Sequence, residues 1–179
     1  MRQLWACCSV ASALDMIRFH GMPRLYLETS VVSYLTARPS MNLVTAAHQL
    51  ITTRWWSRRR ADFDLVISEL VLEEAARGDA DAAARRLEAL EGIQLLGVTS
   101  AVLDLARSVV RAHLLPEKAF PDALHIAVAS IHDIEYLLTW NCSHIANAEL
   151  LPRVTTLVED AGFNMPFVCT PEELLGENL

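Results

Sequence analysis

The stretch Phe120-Pro121-Asp122-Ala123-Leu124-His125-Ile126-Ala127 is the segment of this 179-residue chain that decides its fold. Proline is favoured in the first turn of a helix, where its missing N–H needs no partner, so we predict a helix that begins at Pro121 and runs to about His132. The helix dipole favours an acid at this end, and Asp122 occupies that position. Asp122 is therefore either a simple first-turn acid or a functional group at the start of an apolar helix.

Short apolar strands alternate with helical patterns on both sides of this segment. The predicted strands are 25–27, 64–67, 93–96 and 136–139, with residues 167–169 as a fifth. Helices are predicted at 42–60, 81–90, 100–113, 121–132 and 150–162, together with two shorter ones after the first and second strands. Strands that alternate with helices form a parallel sheet that is covered on both faces. We therefore predict a three-layer α/β/α fold with a central parallel sheet of four to five strands.

Hydroxyl side chains stand where the two shorter helices begin. Thr29 or Ser30 is predicted to cap the helix that follows the first strand, and Ser68 is predicted to cap the helix that follows the second. Gly78 is predicted to end the latter helix, because glycine tolerates the backbone conformation that closes a helix.

The composition is that of one globular domain, since 53% of the residues are apolar and 21% are charged. No apolar run approaches the roughly 20 residues that a membrane-spanning helix needs, so no membrane contact is predicted. The four cysteines, Cys7, Cys8, Cys142 and Cys169, show neither zinc-type spacing nor a disulfide framework. We interpret them as reduced thiols, which predicts a cytoplasmic protein.

Residues 1–22 differ from the rest of the chain, and we predict that the domain itself spans residues 23–179. The start of the chain has features of a short signal peptide, with a small-residue cleavage site at Ala11-Ser12-Ala13, but a single positive charge precedes the apolar stretch. We favour the alternative that Met22 is the native start and that residues 1–22 are an upstream extension. A true signal would make the protein extracytoplasmic.

The net charge of −7 argues against a protein that holds nucleic acid mainly by charge. It does not exclude a nuclease, because an active site full of carboxylates is negative until a metal fills it. The segment Trp55-Trp56, followed by Arg58-Arg59-Arg60, has two interpretations. It is either a surface that stacks on and attracts single-stranded RNA, or, as we favour, a helix end whose tryptophans cover the core.

Polar side chains follow the predicted strands at the point where each strand ends. Glu28 follows the first strand, Glu74 lies on the helix after the second, and Asn141 follows the fourth. Ligands of open parallel sheets bind beyond the carboxyl ends of the strands, so we expect these residues to converge there with Asp122. Carboxylates grouped in this way suit Mg²⁺ or Mn²⁺. The alternative is purely structural, since any α/β protein has acids at strand ends.

Four motifs, in order along the chain, resemble those of the PIN-domain family. They are Leu25-Tyr26-Leu27-Glu28-Thr29-Ser30, Ile67-Ser68-Glu69-Leu70-Val71-Leu72-Glu73-Glu74, Pro121-Asp122-Ala123-Leu124-His125-Ile126-Ala127, and Leu138-Thr139-Trp140-Asn141 followed by His144-Ile145. In the second motif the family's acid comes six residues after the serine, which places the match on Glu74. The third motif is the most specific, and the resemblance runs from about Arg24 to Glu173.

The resemblance implies a metal-dependent endoribonuclease similar to the VapC-type toxins of type II toxin–antitoxin systems. Glu28, Glu74 and Asp122 would bind Mg²⁺ or Mn²⁺ and, together with Asn141, would form the catalytic site. The implied partners are an RNA substrate, a cognate antitoxin protein and a second copy of the chain in a homodimer. Two other interpretations stay open: a non-catalytic PIN-like module that binds RNA or protein, and a generic α/β phosphohydrolase.

Two positions depart from the common family pattern. The first acid is Glu28 rather than aspartate, and its extra methylene moves the carboxylate outward by roughly 1.5 Å. Asn141 stands where many relatives have aspartate, and it offers a carbonyl oxygen without a charge. Two histidines are ambiguous: we favour a structural role for His125 over a contact to a carboxylate or RNA, and we leave His144 unassigned.

Overall fold

The computed structural model describes residues 21–176. The predicted extension at residues 1–22 therefore lies almost entirely outside the described residues, and its boundary with the domain stays a prediction. Within residues 21–176, no helix combines the length and the apolar character needed to cross a membrane.

Five strands form one sheet at the centre of the described chain. They are β1 (Arg24–Leu27), β2 (Asp64–Ser68), β3 (Gln94–Leu96), β4 (Tyr136–Leu138) and β5 (Phe167–Cys169), and their order is β3-β2-β1-β4-β5. All four pairings are parallel, which confirms the predicted sheet. Leu25, Tyr26 and Leu27 of the central strand β1 are fully buried, as expected of a strand covered on both faces.

Seven α-helices connect the strands within the described range. They are α1 (Thr29–Thr36), α2 (Leu43–Arg58), α3 (Glu69–Ala75), α4 (Ala80–Ala89), α5 (Ser100–Arg111), α6 (Phe120–Ile131) and α7 (Leu151–Asp160). Helix α1 packs against α2, α3 and α4, and helix α5 packs against α6 and α7. The sheet and these two groups of helices form the predicted three-layer α/β/α fold. Helix α6 begins one residue before Pro121 and has this proline in its first turn.

The capping predictions for Thr29, Ser30 and Ser68 are wrong. Glu28 and Ser68 occupy the N-cap positions of α1 and α3, but neither side chain caps its helix. The hydroxyls of Thr29 and Ser30 donate to carboxylates instead, and Ser68 Oγ lies 2.6 Å from the hydroxyl of Tyr26. The local capping preference is lost because carboxylates are within reach: Glu74 on α3 accepts from Thr29, and the neighbouring Glu28 accepts from Ser30. Three hydroxyls at the carboxyl edge of the sheet are thereby directed into one region.

The segment that ends α2 covers the core, as the sequence analysis favoured. Trp55 is fully buried, and its ring packs against those of Trp56 and Phe63. The guanidinium of Arg60 lies 4.8 Å from the centre of the Trp56 ring, which is an intramolecular cation–π contact. Arg58 lies in the last turn of α2, where a cation interacts favourably with the helix dipole. These contacts support the structural interpretation of the segment.

Candidate active site

The carboxyl edge of the sheet brings polar residues from distant parts of the chain into one region. Leu27 of β1 pairs with Leu138 of β4, so the residues that follow these two strands are neighbours. The backbone N–H of Glu28 donates to the carbonyl of Leu138 at 3.1 Å and extends the pairing by one residue. Glu28 and Thr139 therefore leave the sheet side by side.

The carboxylate of Glu28 is buried and firmly held. Only 6% of this residue is exposed, and its Oε2 accepts hydrogen bonds from Thr139 Oγ1 at 2.7 Å and from the Ser30 hydroxyl. Thr139 Oγ1 in turn accepts the backbone N–H of Asn141 at 2.9 Å. Ser30 Oγ accepts the backbone N–H of Trp140 at 2.8 Å. Because both hydroxyls are fixed by these backbone contacts, their hydrogens are committed to Glu28.

Glu74 reaches the same region from α3. Its Oε2 accepts a hydrogen bond from the Thr29 hydroxyl and lies 3.2 Å from Nε2 of His125. Burial alone would raise the pKa of this carboxyl, but the hydrogen bonds from His125 and Thr29, together with electrostatic attraction to His125 and Arg77, outweigh burial and hold the pKa below its usual value. Glu74 is therefore held as a carboxylate. The neighbouring Glu73 is exposed, and its Oε2 lies 3.9 Å from Nη2 of Arg77.

His125 connects this region to the core. The residue is 1% exposed, and its Nδ1 lies 2.8 Å from the hydroxyl of Tyr26. Burial raises the pKa of the Tyr26 phenol well above its usual value, so this hydroxyl keeps its hydrogen. His125 is thus buried and fully bonded, as predicted for a structural residue, but it also makes the carboxylate contact that was considered the less favoured role. Its spacing of three residues from Asp122 places the two side chains on one face of the helix and gives no signal of the contact with Glu74 on another helix.

Glu28, Glu74 and His125 form a tight group, which we call the inner cluster. One potential ligand atom from each side chain lies within 4.8 Å of those of the other two. In the part of the chain that the structure describes, it is the one group of three such side chains that close together. Two carboxylates beside an imidazole are a donor set that fits a divalent cation, and carboxylate oxygens in particular suit Mg²⁺ and Mn²⁺.

Asp122 belongs to a second group, Asp122, Asn141 and His144, which we call the outer cluster. Asp122 Oδ1 accepts a hydrogen bond from Asn141 Nδ2 at 2.9 Å, and its Oδ2 lies 2.6 Å from His144 Nδ1. The other end of the Asn141 amide, Oδ1, accepts the backbone N–H of His144 at 3.2 Å. Asn141 therefore orients Asp122 in this arrangement. Metal binding by Asp122 and a ligand role for Asn141 both stay predictions.

The four site residues predicted from the sequence are thus divided between two groups. Glu28 and Glu74 lie in the inner cluster, whereas Asp122 and Asn141 lie in the outer cluster. The side chains of Asp122 and His144 are partly exposed, in contrast to the buried Glu28. Glu74 is as exposed as Asp122, with side-chain exposures of 19% and 20%, so the outer cluster differs from the inner cluster in lacking buried members such as Glu28 and His125.

Fold and site together define a three-layer α/β/α protein with an acidic site at the carboxyl edge of a parallel sheet. A family model described as PIN domain matches residues 25–141. This range contains Glu28, Glu74 and Asp122 and ends at Asn141. The chain belongs to the PIN domain family, which confirms the resemblance seen in its four motifs.

Solved structures of VapC proteins share this fold. VapC20 from Mycobacterium tuberculosis, a toxin described as cleaving the sarcin–ricin loop, has a TM-score of 0.55 and 20% sequence identity, over 69% of this chain and 95% of that one. VapBC2 from Rickettsia felis, solved bound to a DNA fragment from its promoter, has a TM-score of 0.53 and 13% identity, over 82% of this chain and 98% of that one. At these identities the likeness shows the fold alone. A search among curated proteins finds no match.

Proposed function

We propose that this protein is a metal-dependent endoribonuclease of the VapC kind and the toxin of a type II toxin–antitoxin system. PIN domains and VapC proteins are nucleases as a family. The observation that carries the proposal is the inner cluster, in which ligand atoms of Glu28, Glu74 and His125 lie within 4.8 Å of one another. Carboxylates grouped at the carboxyl edge of a parallel sheet are suited to hold a cation where a phosphate binds.

The donor set supports a divalent cation held by Glu28 and Glu74, with Asp122 as the third carboxylate. Oε2 of each glutamate accepts hydrogen bonds, whereas no hydrogen bond from residues 21–176 reaches either Oε1. We propose these two Oε1 atoms as ligands. Bound Mg²⁺ or Mn²⁺ would supply activation of a water and stabilisation of the charge that develops on the phosphate.

The neighbouring side chains would position these carboxylates. Thr139 and Ser30 hold Glu28 through their hydroxyls, and Asn141 holds Asp122 through its amide. The outer cluster is partly exposed, so it is the side from which RNA would approach. Because the chain carries a net charge of −7, we expect RNA binding at the site to depend on the cation more than on a broad basic surface.

Cleavage of a labelled RNA by the purified full chain tests this function. We expect cleavage that requires Mg²⁺ or Mn²⁺, stops when EDTA is added, and falls by at least about 100-fold in Glu74→Gln. Glu73→Gln is the matched control, because Glu73 is the exposed neighbour of Glu74 on the same helix. This control should cleave within about twofold of the wild type, as expected of an exposed substitution.

Cleavage that needs no metal, or that persists in Glu74→Gln, would contradict the mechanism. Calorimetric titration with Mn²⁺ distinguishes the proposed ribonuclease from a non-catalytic PIN-like module, because an absence of binding at millimolar Mn²⁺ would favour the module. A phosphatase assay distinguishes it from a generic phosphohydrolase, which would hydrolyse small phosphate esters and leave RNA intact.

We also propose two protein partners, a cognate antitoxin and a second copy of the chain. A protein partner is supported by the beginning of α2, where the apolar side chains of Met41, Leu43, Val44 and Leu50 are exposed. If a small protein is encoded just upstream of this gene, its coexpression with the chain should give a complex that copurifies and no longer cleaves RNA. Light scattering on the isolated chain should give the mass of a dimer. Cleavage unaffected by the neighbouring protein, or a monomeric mass, would contradict the respective proposal.

A further inference from the structure

A chain of buried hydrogen bonds leads from the core to the inner cluster. Ser68 Oγ lies 2.6 Å from the hydroxyl of Tyr26, and this hydroxyl lies 2.8 Å from Nδ1 of His125. Nε2 of His125 lies 3.2 Å from Oε2 of Glu74. Ser68 and Tyr26 are fully buried and His125 is nearly so. These hydrogen bonds join four elements: β2, β1, α6 and α3, which carry Ser68, Tyr26, His125 and Glu74 in that order.

The direction of these hydrogen bonds follows from the donors and acceptors. The carboxylate of Glu74 only accepts, so Nε2 of His125 must donate to it. In the neutral imidazole the other nitrogen, Nδ1, then accepts, and the hydroxyl of Tyr26 is its donor. Tyr26 has a single hydrogen, so the bond between Tyr26 and Ser68 must be donated by Ser68. Three hydrogens therefore serve three bonds, and each bond points toward Glu74.

We propose that Tyr26 and His125 are positioning residues that fix Glu74 for cation binding. The carboxylate of Glu74 accepts the hydrogen on Nε2, and the Tyr26 hydroxyl, by donating to Nδ1, favours the same tautomer and fixes the imidazole ring. His125 then holds Oε2 of Glu74 and leaves Oε1 of this carboxylate for the cation. The inference rests on the proposed function, and it adds a set of residues that hold a ligand in place without contacting the cation.

This arrangement also bears on which metal is bound. With its hydrogen on Nε2, His125 offers no lone pair to the cation, and the ligands are carboxylate oxygens. Oxygen ligands suit Mg²⁺ and Mn²⁺, whereas imidazole nitrogen suits metals such as Ni²⁺. Loss of the Tyr26 hydroxyl would leave Glu74 as the remaining contact that favours the hydrogen on Nε2, so a metal that prefers imidazole nitrogen would displace this hydrogen to Nδ1 more easily. Tyr26 therefore contributes to metal preference as well as to the orientation of Glu74.

Nitrogen-15 NMR of the histidine rings reads the position of this hydrogen directly in the full chain. We expect Nε2 of His125 to carry the hydrogen in the metal-free protein and to retain it after addition of diamagnetic Mg²⁺. In metal-free Tyr26→Phe the hydrogen should stay on Nε2, because Glu74 still accepts it, whereas the Nδ1 signal should shift to that of a nitrogen without a hydrogen-bond donor. Tyr136→Phe is the matched control, since Tyr136 lies at the start of the neighbouring strand β4, and it should leave the His125 signals unchanged.

Binding of Mn²⁺ and of Ni²⁺, each measured by calorimetry, gives the second readout. We expect Tyr26→Phe to weaken Mn²⁺ binding by about tenfold. The preference for Mn²⁺ should fall relative to Ni²⁺ in the same variant, because Ni²⁺ would displace the Nε2 hydrogen of His125 more easily. Ser68→Ala should act in the same direction with a smaller effect, and Tyr136→Phe should change neither affinity.

Three results would overturn the proposal. They are a wild-type imidazole with its hydrogen on Nδ1 or on both nitrogens, loss of the Nε2 hydrogen on Mg²⁺ binding, and a Tyr26→Phe variant that loses thermal stability while keeping both metal affinities. The last result would show that the hydrogen bonds from Ser68 to Glu74 have a structural role alone. Absence of RNA cleavage in the wild type would overturn the proposed function instead, and it would not alter the expected tautomer of His125.

Discussion

The inner and outer clusters differ in how the protein holds them. In the inner cluster, Glu28 follows the central strand directly and His125 lies within α6, and both are buried. In the outer cluster, Asn141 and His144 lie in the segment after β4 and hold Asp122 at a partly exposed position. Sites on strands and helices keep their geometry better than sites on loops. We therefore expect the inner cluster to set the position of the cation and the outer cluster to meet the substrate.

The largest expected effect is that of Glu28→Gln. Glutamine keeps the size of the side chain, but it lacks the charge, and its amide nitrogen must face either the cation or the two hydroxyl donors Thr139 and Ser30. Mn²⁺ affinity and RNA cleavage should each fall by at least about 100-fold. Glu69→Gln, an exposed change in the first turn of α3, is the control. Unchanged Mn²⁺ affinity in Glu28→Gln would remove Glu28 from the site.

Asp122→Asn should distinguish the role of the outer cluster from that of the inner cluster. Asparagine keeps the size of the side chain but cannot accept two hydrogen bonds and neutralise a cation as the carboxylate does. We expect cleavage to fall by about 100-fold, with a loss of Mn²⁺ affinity of at most about tenfold. Asp104→Asn, at an exposed ion pair with Arg107 on α5, is the control. If Asp122→Asn weakens Mn²⁺ as strongly as Glu28→Gln does, the two clusters act as a single metal site.

Asn141→Asp should lower the stability of the metal-free protein and raise its affinity for Mn²⁺. The new carboxylate would stand where Asn141 Nδ2 now lies, 2.9 Å from Asp122 Oδ1, so the two like charges would repel each other. The melting temperature of the metal-free protein should fall, whereas Mn²⁺ affinity should rise severalfold because a cation relieves the repulsion. Asn42→Asp is the control and should show neither effect, because Asn42 caps α2 through its Oδ1 and aspartate caps a helix equally well. A metal-free melting temperature that stays unchanged would contradict the observed contact between Asn141 and Asp122.

The smallest expected effect concerns stability and pH in the metal-free protein. The pKa of Glu74 lies below its usual value of 4.5, because burial is outweighed by hydrogen bonds from His125 and Thr29 together with electrostatic attraction to His125 and Arg77. A carboxyl whose pKa is lowered by folding stabilises the fold at higher pH, and this stabilisation is lost as the pH falls through the folded-state pKa. The difference in free energy of unfolding between wild type and Glu74→Gln should therefore be fully present above about pH 4.5 and should shrink in more acidic solution.

Urea unfolding between pH 3 and pH 6 measures this difference, with Glu73→Gln as the control that should show no such trend. The groups that face Glu74 are His125 and Thr29, which contact it directly, and Glu28, which lies within 4.8 Å in the inner cluster; Arg77 contributes at longer range. A difference that stays constant, or that grows as the pH falls, would show that Glu74 is not held as a carboxylate by these contacts.

The fold could be predicted from the sequence to a large extent, because alternation of strands and helices depends on local patterns. The strand at 25–27 and the helix after Pro121 were placed to within one residue. Helix ends were less predictable: Gly78, expected to end α3, lies in the turn beyond Ala75 with a φ of +89°. Thr29 and Ser68 have the residue type and position typical of helix caps, but their actual partners, Glu74 and Tyr26, lie on other elements that local sequence does not reveal.

The acidic residues of the site could be predicted from the sequence, but their contacts with one another and with His125 could not. Glu28 and Asp122 could be identified by their positions at a strand end and a helix start. Their separation into two clusters depends on contacts between residues far apart in the chain, such as Tyr26 with His125 and Glu74 with His125. The sequence holds one local clue that Tyr26 lies near the site: it precedes Glu28 by two residues, so the two side chains share one face of the strand.

The central claim is that Glu28 and Glu74 hold a divalent cation while His125 holds Glu74. Anomalous diffraction from a crystal of the full chain with Mn²⁺ tests it most directly. We predict a Mn²⁺ peak bonded to carboxylate oxygens of Glu28 and Glu74, with Nε2 of His125 still at hydrogen-bond distance from Glu74. A peak bonded to Nε2 of His125, a peak confined to Asp122 and His144, or no peak at millimolar Mn²⁺ would contradict the claim.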